Sequence, residues 1–531
     1  MSRFHYDFPY PSQRMPVMAS NVVATSQPLA AQAGLQMLYD GGNAVDAAIA
    51  AAIALTVVEP TSNGIGSDAF AIVWDGQELH GLNASGRSPQ ALSLERFAGR
   101  ASMPLRGWDS VTVPGAVSAW VALSRRFGEL DFADLFAPAI RYATEGYMVS
   151  PITAAAWSRA PEAFGNFPEF AATFLPQGRA PRAGELFRCV DQAHTLEHIA
   201  ASRGEAFYRG SLADAMVADA RAKGALLREE DLDEHQVDWV DTIAQDYHEL
   251  RLHEIPPNGQ GLAALIMLGI LEHHPLRDLP VDSADSLHLQ IEAMKLAFAD
   301  AYRYIADEAS MDVSTKDLLE PNYLAERAKH IDMRRAQVPA YGVPQRGGTV
   351  YLTAADENGM MVSFIQSNYY GFGSGIVVPG TGISLQNRGA GFVLDPAHPN
   401  CVAGGKRPFH TIIPGFITQG DAPLMSFGVM GGPMQPQGHA QMVIRMRDYQ
   451  QNPQAASDAP RWRVLEGNSV ALEQGFAPEV QGDLRSRGHD ITLEHGLFSS
   501  FGFGGAQLIY RDSHGYVAAS DHRKDGQAVG Y

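Results

Sequence analysis

The chain has 531 residues, of which 45% are hydrophobic, 19% are charged and two are cysteine. This composition supports a large buried core and excludes a disulfide-stapled scaffold. A formal net charge of −19 excludes non-specific nucleic-acid binding and disfavours anionic membrane surfaces, both of which need an excess of Lys and Arg.

The opening stretch, Met1 to Pro16, is polar, aromatic and proline-containing, without the apolar core of a secretory signal. The alanine-rich run Ala44 to Val57 carries Asp46 and is too short to span a bilayer. The expectation is a cytoplasmic protein with no membrane partner.

Leu29 to Tyr39 reads as a helix stopped by Asp40, Gly41 and Gly42. Asn43 can cap a second helix, Ala44 to Val57, whose small side chains allow close packing on a sheet. A loop at Gly64 and Gly66 leads into a hairpin, Ala69 to Trp74 and Glu78 to Asn83, turning at Asp75 and Gly76. From Pro114 to about His274 the spacing is mostly helical, clearest in Pro114–Arg126, Leu135–Glu145, Ala193–Ala201 and Leu262–Glu272. Leu287 to Ile305 is the longest such segment. Between Lys329 and Gly348 the pattern dissolves into a linker rich in proline and glycine.

After that linker the character changes to strands. Val350–Ala355 and Met360–Gln366 flank a turn at Asp356 to Gly359, and Thr411–Thr418 and Leu424–Val429 make another pair. Gly438 to Asp448 reads as a helix, and Gln507–Arg511 with Tyr516–Ala519 as a closing hairpin. Helices and strands fall in blocks, with few βαβ units. This predicts an α+β fold of packed antiparallel sheets between helix layers.

At the boundary stand Gly347, Gly348 and Thr349. A chain cut before Thr349 would carry a nucleophilic hydroxyl and a free α-amine on one residue, so that the amine can take the hydroxyl proton. The glycines would let the hydroxyl reach the Gly348 carbonyl. On spacing alone an ordinary strand threonine after a glycine turn is the commoner case.

Further motifs sharpen the reading. They are Gly41 to Ala47, Glu59 and Pro60 with the Gly64 to Gly66 loop, Val113 to Gly115, Lys406 to Pro408, Gly431 and Gly432, Asp458 to Arg461, and Ala519 to Asp521. In this order, running nearly end to end, they resemble the γ-glutamyltransferase family of N-terminal nucleophile hydrolases. The resemblance implies a four-layer αββα sandwich and self-cleavage between Gly348 and Thr349. Residues 1–348 would form a large subunit and 349–531 a small one, together one body and a candidate for further self-assembly. It also implies Thr349 as nucleophile, Ser367 as its hydroxyl partner and the backbone amides of Gly431 and Gly432 as an oxyanion hole.

The departures point to the substrate. Val350 and Tyr351 stand where the family usually has threonine and histidine. The aspartate that holds a substrate α-amine is replaced by Gly391, in the stretch Asn387 to Gly391, and a serine pair that binds a carboxylate becomes His410 and Thr411. Arg87, Asn387 and Arg388 are further substrate-binding candidates, since an arginine can grip a carboxylate with two bonds. The implied activity is hydrolysis of a small carboxylate-bearing amide through an acyl-enzyme, as in the oxamate amidohydrolase branch, giving oxalate and ammonia from oxamate. One alternative is a γ-glutamyl hydrolase or transpeptidase with a rebuilt amine site. Another is a non-catalytic relative that binds and is never cleaved.

No cofactor or metal is expected. Gly64, Gly66 and Ala69 follow a helix and not a strand, against a dinucleotide site. His273 and His274 are adjacent and cannot face one ion. Arg461, Trp462 and Arg463 read as a structural knot.

Overall fold

A computed structural model describes residues 13–339, 348–494, 496 and 501–531. Gly347, the rest of the 340–347 linker and residues 1–12 lie outside the described residues, so the expectations placed on them are not addressed by it.

Two seven-stranded sheets form the centre. The first runs Gln527–Gly530, Val22–Thr25, Gly348–Ala355, Met361–Tyr369, Asp68–Trp74, Leu79–Asn83, Asp238–Val240. The second runs Val17–Ala19, Gly515–Ser520, Gly505–Asp512, Ala422–Met430, Gly415–Gln419, Leu250–Glu254, Ile243–Tyr247. Every pairing within them is antiparallel. Each sheet draws strands from both sides of the Gly348–Thr349 bond, so neither side holds a complete sheet alone.

Alternation of side chains along the strands builds the layers. Tyr351 and Ile365 of the first sheet point inward with Phe70 and Ile72 and meet Phe416, Ile509 and Ala518 of the second. Their neighbours Val350, Leu352 and Phe364 point outward against the helix Ala44–Val58. On the far side, Phe427, Val429 and Leu508 pack against Gly261–Leu271, Ala284–Tyr304 and Met434–Arg447. The order of layers is helix, sheet, sheet, helix, as the resemblance implied.

The alanine-rich helix behaves as its composition demands. All its residues are buried, and Asn43 and Asp46 form a reciprocal cap at its start. Two elements differ from the sequence reading. The helix expected from Gly438 begins at Met434. Pro436 suggests a break, yet it lies in the first turn, where its missing N–H has no intrahelical partner to lose. The strand expected over Thr411–Thr418 is regular only from Gly415 to Gln419, because Pro414 cannot donate to a ladder. Both differences matter, since Gln435 of the first contacts Thr349 and Ile413 of the second holds Gln435.

Candidate active site

Thr349 lies where the ladder slips. Gly348 pairs with Tyr369 and Val350 with Gln366, and the register shifts between them. Such a bulge turns a side chain away from its regular face. Thr349 is 1% exposed, and its Oγ1 lies 3.1 Å from Ser367 Oγ. Ser367 Oγ also accepts the Tyr369 backbone N–H at 2.8 Å.

A second contact comes from the early helical turn. Gln435 Nε2 donates to Thr349 Oγ1 at 3.4 Å. Its Oε1 accepts the Ile413 backbone N–H at 2.9 Å, and its own backbone N–H reaches the Gly432 carbonyl at 3.0 Å. Thr349 and the glycine pair are thus joined through one residue.

Gly431 and Gly432 connect the strand Ala422–Met430 to the helix Met434–Arg447, with φ of +135° and +61°. Both values favour glycine. A Cβ at Gly431 would stand 3.0 Å from the Gly504 Cα. Gln260, which precedes the neighbouring helix Gly261–Leu271 of the same layer, holds the turn through Nε2, donating to the Gly432 carbonyl at 2.9 Å and the Thr411 carbonyl at 2.6 Å. The pair therefore sits at the positive end of a 14-residue helix, a place suited to a developing oxyanion.

A cavity of about 340 Å³ opens beside Gly431, walled by Phe164, Tyr370, Phe372, Met430 and Met434. Its cationic lining residues are Arg106, Arg159, Arg463 and Lys524, and its described lining includes no Asp or Glu. The Arg106 guanidinium lies 4.4 Å over the Phe164 ring, and Nη1 donates to the Gly373 carbonyl at 2.9 Å. Burial pulls its pKa down from the usual arginine value.

The residues singled out in the sequence divide into three groups. Thr349, Ser367, Gly431 and Gly432 come together as described. Asn387 stands behind the cavity wall: its Oδ1 accepts the Tyr370 N–H at 3.1 Å and its Nδ2 donates to the Leu105 carbonyl at 2.8 Å, holding the wall residue Tyr370 and the neighbour of Arg106. Arg388, His410 and Thr411 form a buried cluster with Asp68 rather than an open surface. Arg388 Nη1 donates to Thr411 Oγ1 at 2.8 Å, and its guanidinium lies 4.4 Å over the Tyr369 ring. His410 Nε2 is 3.2 Å and Arg388 Nε 3.9 Å from Asp68 Oδ2. Burial pushes the Asp68 carboxyl up to about 7, against the opposing pull of Arg388. Burial likewise keeps His410 neutral, well below its ordinary value.

Arg87 stands apart. Its half-exposed side chain pairs with Asp307 at 2.8 Å and donates to the Gly405 carbonyl at 3.1 Å. It lines a different, polar cavity with Asp238 and Arg407. Tyr351 is core, its hydroxyl 2.7 Å from Ser363 Oγ. In the Arg461–Arg463 knot, Arg461 is buried and pairs with Asp521 at 2.5 Å, whereas Arg463 reaches the cavity wall.

His288, Glu292 and His489 present possible metal-ligand atoms within 4.8 Å of one another. The group is already closed: Lys295 Nζ lies 2.6 Å from Glu292 Oε1, and the two imidazoles share a 2.8 Å hydrogen bond.

The family model described as gamma-glutamyltranspeptidase matches residues 30–531. The chain belongs to the γ-glutamyltranspeptidase family. Membership makes it an amide-bond hydrolase of the acyl-transferring type. Within the family it is 35% identical to the glutathione hydrolase-like YwrD proenzyme of Bacillus subtilis, over 97% of this chain and all of that one. It is 37% identical to the oxamate amidohydrolase proenzyme of Klebsiella pneumoniae, over 95% and 97% of the two chains. Among solved structures, a cephalosporin acylase from Bacillus halodurans superposes with a TM-score of 0.94 at 49% identity, covering 100% of this chain and 99% of that one.

Arg106, Gln435, Gln260 and Asp68 were not singled out by the sequence. Arg106 sits in no pattern. Gln435 was hidden by the apparent break at Pro436, although its place just after the glycine pair was a usable signal.

Proposed function

We propose that Thr349 is the nucleophile of a self-processing amidohydrolase whose substrates carry a carboxylate on the acyl side. In the intact chain, Thr349 Oγ would attack the Gly348 carbonyl carbon. The C–N bond breaks, its nitrogen becomes the Thr349 α-amine, and water hydrolyses the ester to free Gly348. In the cleaved protein that amine, with a pKa near about 8, takes the Oγ proton as Oγ attacks the substrate carbonyl. The proton then passes to the departing amine or ammonia, and water releases the acid.

The observation that carries this reading is the pairing of Thr349 Oγ1 with Ser367 Oγ at 3.1 Å, tied through Gln435 to the Gly431–Gly432 turn. The substrate class rests on the cavity. Arg463 is already paired with Glu494 at 2.5 Å, but Arg106, Arg159 and Lys524 line the cavity with no described carboxylate beside them in the lining, which suits an anion and leaves a substrate ammonium unpaired. Gly391 supplies no carboxylate either. In place of Arg87, Arg106 is the residue we assign to the carboxylate. A volume of about 340 Å³ exceeds what oxamate needs and falls in the usual range for larger ligands. Oxamate is then the smallest member of the class and not its limit.

Glutaryl and γ-glutamyl anilides test this, because they differ only in the α-amine. Turnover of the glutaryl compound should exceed that of its γ-glutamyl twin, with oxamate as a third substrate. Strong turnover of the γ-glutamyl compound alone would reverse the assignment and favour the glutathione-directed reading suggested by the Bacillus subtilis relative.

A further inference from the structure

We infer that Gln435 is a catalytic residue of this site: its side-chain carboxamide is a fixed hydrogen-bond donor to the nucleophilic oxygen of Thr349. The inference rests on Thr349 being the nucleophile. The orientation of the carboxamide is decided by its other end. Oε1 accepts the Ile413 backbone N–H at 2.9 Å, and a carboxamide has one acceptor end and one donor end. Nε2 must therefore face Thr349 Oγ1, where it lies at 3.4 Å. Gln435 is fully buried, so water does not compete for this contact.

The consequence for Thr349 is directional. Its oxygen accepts a hydrogen bond from the Gln435 N–H, and its own hydrogen is left to point elsewhere. In the intact chain the neighbouring oxygen is Ser367 Oγ; after cleavage the α-amine is on the same residue. Negative charge that builds on Oγ as it loses its proton is met by an N–H already in place. A contact of 3.4 Å is long for a neutral pair and shortens when charge develops. The same residue fixes the oxyanion turn through its backbone bond to the Gly432 carbonyl. Attacking oxygen and oxyanion donors are therefore set relative to each other by one rigid first turn of helix. A glutamine suits this place better than a glutamate, whose negative charge would oppose both the alkoxide and the oxyanion.

Two variants test the inference, each read twice. Gln435→Met keeps the shape and removes the donor. Gln435→Glu keeps the shape and replaces the donor with a carboxylate that donates only when protonated. Self-cleavage at Thr349 needs no substrate and is timed on denaturing gels after expression in the whole chain. Hydrolysis is then measured on the cleaved material. Gln435→Met should slow cleavage and lower kcat about 10- to 100-fold, with KM within about threefold. Gln435→Glu should be slower still near neutral pH, and its rate as a fraction of the wild-type rate at the same pH should rise towards pH 5 as the new carboxyl gains a proton, which a merely structural role would not produce. If Gln435→Met fails to accumulate folded protein, the acid-side recovery of Gln435→Glu alone decides. Wild-type kcat in Gln435→Met, or a Gln435→Glu profile parallel to wild type, would overturn the inference. Cleavage that persists in Thr349→Ala would instead overturn the nucleophile assignment on which it rests.

Discussion

Asp68 and Arg388 face each other in complete burial, Oδ2 to Nε 3.9 Å apart, one from each side of the expected cleavage point. His410 adds a 3.2 Å contact to the same carboxylate oxygen. Asp68 is also the cross-strand partner of Ser367, so the cluster lies directly behind the hydroxyl pair. It fastens the residues that precede Thr349 to those that follow it.

Removing one member of a buried pair leaves the other charge uncompensated. Arg388→Met should therefore destabilise the protein by about 3–5 kcal/mol at pH 8, where Asp68 is ionised. At pH 5.5, where Asp68 holds its proton, the cost should be smaller by up to about 1.4 kcal/mol, the most that a group titrating near 7 can contribute over this range. Urea denaturation at the two pH values measures the difference. An equal loss at both would show that Arg388 acts through packing against Tyr369 and not through charge.

Asp68 also sets a pH dependence of its own. Its folded pKa of about 7 lies above the ordinary 3.8, so between these values the folded chain binds a proton that the unfolded chain has released. Stability from this group is greatest at the acid end and declines as pH rises from about 4 to about 7. Asp68→Asn holds the neutral form at every pH and should flatten that decline. The midpoint of urea unfolding, followed across the window in both proteins, gives the comparison. Unchanged slopes would mean that Asp68 titrates alike in the folded and unfolded chains.

Thr349→Ala should remain a single 57.4 kDa species on a denaturing gel, while the wild type yields two. Sequencing the smaller wild-type product should read Thr349, Val350, Tyr351. A wild type that stays whole after purification would support the non-catalytic binding relative instead. Ser367→Ala should still cleave, more slowly by about 3- to 10-fold, the worth of one neutral hydrogen bond.

Much of this was legible in the chain. The Asn43 cap, the alanine-rich helix and the hairpin at Asp356 to Gly359 are local signals, and local signals survive folding. The segregation of helices and strands gave the class, and the ordered motifs the family layout. What was hidden depended on contacts between distant segments. Arg388 and His410 looked like ligands because nothing in the sequence places Asp68 between them. Arg87 looked like a carboxylate clamp because its partner Asp307 lies 220 positions away. Arg106 carried no motif, and only the aromatic wall contributed by Phe164 and Phe372 gives it a setting.

Arg106 supplies the sharpest test of the substrate class. Its guanidinium is held by the Phe164 ring and the Gly373 carbonyl, so it offers a fixed charge without an acidic side chain among the described lining of the cavity. Replacing it with glutamine keeps much of the length and removes the charge. A charge-assisted bond to a carboxylate is worth about 1.5–3 kcal/mol, or roughly 10- to 150-fold in binding. Arg106→Gln should therefore lower kcat/KM for a glutaryl anilide by that range, mostly through KM, while a neutral butyryl anilide changes by less than about threefold. Self-cleavage, which involves no added carboxylate, should proceed at its normal rate. If both anilides lose activity together, Arg106 maintains the cavity wall instead, and the anion must be held by Arg159 or Lys524.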